Sequence, residues 1–116
     1  MAWYKTGGKD IFWHNLPNVS SSFTLSAGNS KTIAVTKMPK YIMYTRVAYN
    51  GSISTTRCGV LYVGDDQMYN LGYISSGKVN EQVDVDTTFT SITSSSVVVK
   101  LNAGAYSTTF TVSIWY

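Results

Sequence analysis

His14 and Cys58 are the only histidine and the only cysteine in the chain, and that count decides most of the chemistry open to it. A serine nucleophile needs a histidine base held in place by a carboxylate. His14 lies in "FWHN" with no acidic residue among its nearest neighbours in sequence, so it reads as a packing or surface residue. Zinc sites are built from several Cys and His ligands, and one of each falls short. Cys58 has no second cysteine for an internal disulfide, and its neighbours Gly59, Val60 and Leu61 mark it as a small buried hydrophobe.

Carboxylates offer the next opening. Asp84 and Asp86 stand two apart in "VDVD", a spacing that puts both on one face of a strand, where a dyad or a calcium ion would need them. The same spacing describes a solvent-facing strand, or charges that discourage edge-to-edge pairing. Asp65 and Asp66 fall in an expected turn, where Asp bonds its own backbone. Neither pair comes with an acid or base partner, and no phosphate-binding glycine loop, nucleotide fingerprint or basic amphipathic helix is present. The expectation is a protein that is not an enzyme and carries no catalytic residue, metal or cofactor.

The aromatic residues are the more unusual resource: nine tyrosines, three tryptophans and four phenylalanines in 116 residues. Tyr and Trp join apolar area to a hydrogen-bonding edge, which suits protein interfaces and sugar platforms as well as cores. With so many rings, a share must reach the surface, and binding or assembly becomes the leading class.

Composition sets the frame in which those rings sit. One domain with a substantial core fits this length. Charged residues make up 13% of the chain, whereas Ser and Thr supply about a quarter of it. Such a surface is soluble without strong fields and suits an extracellular or virion-like particle. The net charge is +3, but the nine basic residues are scattered from Lys5 to Lys100. No cluster among them tracks a phosphate backbone, so nucleic-acid binding is not expected despite a pI of about 9.0. The start "MAWYKTGGKD" lacks an apolar core of signal-peptide length, and no stretch approaches the ~20 apolar residues of a membrane span. We expect neither Sec export nor membrane insertion.

The elements that must position the aromatics are strands, because period-two alternation recurs and helix formers are few. "SFTLS" and "KTIAVT" flank the turn "AGNS", where Gly28 and Asn29 can take positive φ, and together they read as a hairpin. After Pro39, "YIMYTRVAY" sets Tyr41, Met43, Thr45, Val47 and Tyr49 on one face and Ile42, Tyr44, Arg46 and Ala48 on the other. Both faces are substantially apolar, so a central strand is expected, closed by the turn dipeptide Asn50-Gly51. "CGVLYV" and "QMYNLGYI" flank Gly64-Asp65-Asp66 as a second hairpin, and "SSGK" makes the next break. In "TTFTSIT", Phe89 and Ile92 are out of phase, which points to a bulge or a turn. The final runs set Val97, Val99 and Leu101, then Phe110, Val112, Ile114 and Tyr116, on single faces.

About eight short strands joined by small turns describe an all-β protein, an antiparallel β-sandwich of jelly-roll-like kind spanning residues 21–116. Residues 1–20 lack alternation and read as a less regular N-terminal arm. Trp3, Tyr4, Phe12 and Trp13 are its candidate assembly contacts, docking on the sandwich or on a neighbouring subunit.

Three segments, "MPKYIMYTRV" (38–47), "GVLYVGDDQMYNLGY" (59–73) and "VVVKLNAGAYSTTFTVSIWY" (97–116), together resemble sandwich modules of tail fibres and other receptor-binding appendages of tailed bacteriophages. The start "MAWYKTG" is similar to those of small phage structural proteins. The likeness covers roughly residues 22–116 and consists of patterns of residue type rather than a signature. Such modules usually end a long fibre, and no shaft or coiled-coil region is seen in this sequence. The resemblance implies a virion structural protein of the tail or the capsid, assembled in the host cytoplasm. Its partners would be its own copies, other virion proteins and a bacterial surface glycan or protein receptor. Candidate ligand or receptor loops are then Asn50, Gly51, Asp65, Asp66, Tyr69 and Tyr73. The alternative expectation is a monomeric carbohydrate-binding module or lectin in which Tyr62, Tyr69 and Tyr73 stack on sugars beside Asp65 and Asp66.

Overall fold

The fold is that of a computed structural model, which describes residues 5, 6, 9, 10, 15–50, 53–65, 67–75, 78–80, 86–103 and 105–116; side chains are described at 15–48, 55–64, 86–103 and 105–116. In chain order the strands are β1 (Lys5–Thr6), β2 (Lys9–Asp10), β3 (Val19–Leu25), β4 (Ser30–Ala34), β5 (Tyr41–Asn50), β6 (Ile53–Tyr62), β7 (Gln67–Ser75), β8 (Lys78–Asn80), β9 (Thr87–Ile92), β10 (Ser96–Leu101) and β11 (Thr108–Trp115). A six-stranded antiparallel sheet runs β3-β11-β5-β6-β7-β8, a three-stranded one runs β4-β10-β9, and β1 pairs with β2 by themselves. The two larger sheets pack face to face, so the expected antiparallel sandwich is what the chain forms.

Alternation explains the interior. Val97, Val99 and Leu101 of β10 face Phe110, Val112 and Ile114 of β11 and Ile42 of β5, all at 0% exposure. Each such side chain withdrawn from water is worth about 1.5–3 kcal/mol, whereas a hydroxyl contact nets about 1 kcal/mol. The apolar layer therefore dominates, and strands whose apolar residues fall in phase are held most firmly. Phe23 stacks on Phe110 at 5.5 Å, and Tyr44 meets Phe89 edge-on at 5.8 Å within the same layer.

The first expected hairpin does not form. β3 pairs with β11 and β4 with β10, so the turn between them crosses from one sheet to the other. Gly28 takes the anticipated positive φ of 81°. The N–H of Gly28 donates to the Leu101 carbonyl at 2.8 Å, and the Leu101 N–H donates to the Asn29 carbonyl at 3.0 Å, which ties the turn to the end of β10. Leu25 and Ile33 then join one core from two sheets instead of lying side by side in one.

The later expectations hold more closely. Pro39 is buried at the entrance to β5, and β5 is central, between β11 and β6. Asn50 pairs with Ile53, leaving two residues for the β5–β6 connection. The β6–β7 hairpin turns through a single 3-10 turn at Val63–Asp65. Along β9 the register passes from Ser91 opposite Val98 to Phe89 opposite Val99, so Thr90 is the extra residue that sets Phe89 and Ile92 out of phase. β3 begins inside the stretch read as the arm, with Val19 opposite Ile114 and Ser20 opposite Ser113.

Candidate functional site

The six-stranded sheet has a second face, turned away from the core, and its residues are set in cross-strand rows by the register. Trp115 of β11 stands opposite Tyr41 of β5, which stands opposite Tyr62 of β6. In the next row Ser113, Met43 and Val60 follow one another. Tyr41 and Tyr62 meet edge to face with centroids 5.5 Å apart. Val60 and Trp115 are buried at 3% and 7% exposure although they lie outside the main core, with Tyr41, Met43 and Tyr62 packed half-buried around them. The indole N–H of Trp115 donates to the Asn15 carbonyl at 2.9 Å. Asn18 Oδ1 accepts the Tyr116 N–H, and the Asn18 N–H donates to the Ile114 carbonyl, both at 2.9 Å. Residues 15–18 are thereby fastened along the end of β11.

Away from this cluster the same face turns to hydroxyls. Ser22 and Thr24 of β3 lie beside Thr111 and Thr109 of β11, with hydroxyl oxygens 3.2 and 3.1 Å apart. Thr45 of β5 continues the row of Thr111. The outer face is thus divided between an aromatic and methionine cluster at one end and an uncharged hydroxyl field at the other.

On the core side β5 buries a charge. Arg46 is 2% exposed, in phase with Ile42 and Tyr44. Its Nη2 lies 3.4 Å from Asp86 Oδ2, and its Nη1 donates to Thr108 Oγ1 at 3.5 Å. Thr108 Oγ1 in turn donates to the Tyr106 carbonyl at 2.7 Å. Asp86 is 37% exposed, so water screens the pair on one side while the guanidinium is enclosed. Asp86 thus serves as the counter-ion of a core arginine. Asp84, the other member of the Asp84/Asp86 pair, lies outside the described residues. Among the described residues no three of His, Cys, Asp and Glu gather into a metal-binding group.

Of the residues singled out from sequence, Trp3, Tyr4, Phe12, Trp13, His14, Gly51 and Asp66 lie outside the described residues. Asn50 ends β5 and Asp65 ends the 3-10 turn. Tyr69 and Tyr73 both fall in β7, and a spacing of four would put them on one face. The β6–β7 register shifts between Cys58 and Gly59, however, leaving Leu71 as the extra residue of β7. Tyr69 is then in register with Val60 of the outer face, and Tyr73 with Arg57, the cross-strand neighbour of core-facing Arg46. The backbone does not bring Tyr62, Tyr69 and Tyr73 into one sugar-stacking row.

The Trp115–Tyr41–Tyr62 row was missed in the sequence because it joins three strands that are distant along the chain. Arg46 carried a signal of its own: a charged residue in phase with Ile42 and Tyr44 requires a partner. Cys58 is half-buried, and burial pushes its thiol above the ordinary value. No family model matches the chain, and neither does any curated protein or solved structure.

Proposed function

We propose that the chain is a non-enzymatic structural protein of a tailed-bacteriophage virion: a sandwich in a tail fibre, tail tip or capsid-associated appendage that assembles with itself and with other virion proteins and contacts the host surface. The observation that carries the assembly part is the outer cluster of Trp115, Tyr41, Tyr62, Met43 and Val60. Tyr, Trp and Met are enriched where proteins meet, and here they are gathered on the face of a sheet that the core does not need. The virion setting is supported by the resemblance of segments 38–47, 59–73 and 97–116, which correspond to the start of β5, the β6–β7 hairpin and the successive strands β10 and β11 of opposite sheets. The neighbouring hydroxyl field adds a wettable, uncharged surface suited to repeated contacts.

The test is twofold. Purified protein is expected to sediment as an oligomer at micromolar concentration, and an antibody to it, carried on gold, is expected to decorate particles made by cells that express the gene. A monodisperse monomer that is absent from particles sinks the reading. A glycan array run on the same preparation separates it from the lectin alternative: strong glycan binding by a monomer would favour the latter.

A further inference from the structure

The six-stranded sheet ends in β3, whose one strand partner among the described residues is β11. An exposed sheet edge offers a row of backbone donors and acceptors to any passing strand, and proteins guard such edges with lysines, prolines, bulges or short length. The other edges here carry such guards. β8 is three residues long and begins with Lys78. β4 carries Lys31, and the ladder of β9 is broken by its extra residue. β3 has none of them: its seven residues, "VSSSFTL", contain no charge, proline or glycine, and all seven pair with β11 in unbroken register.

We propose that β3 is a seam between two copies of this chain, joined antiparallel across a two-fold axis so that two six-stranded sheets become one. The inference deepens the assembly reading above and rests on it. A second copy fits because the strand is complementary to itself. Centred on Ser22, the pairing sets Val19 opposite Leu25 and Ser21 opposite Phe23 on the core side, with Ser20 opposite Thr24 and Ser22 opposite its own copy on the outer side. Val19 and Phe23 are only half-buried at the margin of the core, and the second copy extends that layer over them. The outer hydroxyl field runs on across the seam. No like charges meet across it.

Charge reversal at the axis tests the seam. Ser22 is exposed, so Ser22→Lys and Ser22→Glu are expected to fold, with wild-type far-UV circular dichroism. Each places like charges opposite each other and is expected to weaken self-association about tenfold or more by sedimentation. Mixing the two is expected to restore it. In a Cys58→Ser background, Ser22→Cys places two thiols at a strand-pair separation of about 5 Å, within disulfide reach. Mild oxidation should then yield a covalent dimer, while Thr45→Cys, exposed in the interior of the same sheet, should not. An oligomer indifferent to charge at position 22, with no preferential cross-link there, overturns the seam and leaves the assembly reading standing. A wild-type monomer overturns the seam, including the case in which β3 serves a strand from a different protein, and overturns the assembly reading as well when the protein is also absent from particles.

Discussion

Tyr44 lies directly across from Gly59, and the pair shows how closely this interior is fitted. A Cβ added to Gly59 would stand 2.7 Å from Tyr44 Cε1 and 3.1 Å from its Cζ. The ring is 1% exposed and wedged between Phe89 at 5.8 Å and Phe110 at 6.4 Å, so it has no room to retreat. Gly59→Ala is expected to destabilise the fold by about 1–3 kcal/mol, read from urea denaturation, as overpacking does elsewhere. An unchanged midpoint would show that the ring can move. Cys58, one residue earlier, carries a pH dependence. Burial raises its thiol above the ordinary value of 9.0, so the unfolded chain releases that proton first as pH rises. The contribution of Cys58 is therefore intact below about pH 9 and declines as pH climbs toward the folded value. Wild type is expected to lose stability relative to Cys58→Ala as pH rises above 9.0, the thiol's ordinary value; parallel stability curves would refute the linkage.

At the level of elements, what the sequence disclosed depended on whether a strand's pattern names its own face or also its partner. β10 and β11 were readable because Val97, Val99 and Leu101, and Phe110, Val112 and Ile114, alternate without interruption and point into one core. The bulge of β9 was readable because Phe89 and Ile92 break phase. The β3–β4 turn was not, since a hairpin and a corner between sheets share the same punctuation, and what decides between them, the Gly28 N–H donating to the Leu101 carbonyl and the Leu101 N–H donating to the Asn29 carbonyl, involves a strand far along the chain. The first half of β6 was hidden in the polar run "SISTTRC", although Thr55 and Thr56 are good strand formers. The bulge at Leu71 left no mark in residue type, and it parts Tyr69 from Tyr73. The outer cluster was half legible: Tyr41 and Met43 could be put on one face, while Tyr62 and Trp115 join them only through the sheet order.

For the whole molecule, the decisive strand is β11. It bridges β3 and β5, supplies three side chains at 0% exposure, and reaches a partner 100 residues back in the Trp115–Asn15 hydrogen bond. A chain ending at residue 107 is expected to remain unfolded, with flat near-UV circular dichroism and rapid proteolysis. A compact, protease-resistant fragment would show that the remaining strands close a core without it. Pairing of such high sequence separation makes folding slow compared with helical domains of this size. It also orders events during synthesis. The strand that joins β3 to β5 is synthesised after both, so they must wait for it with their apolar faces uncovered. Closure of the core waits on synthesis of β11, and a copy truncated before that strand is left with its apolar faces exposed to proteases.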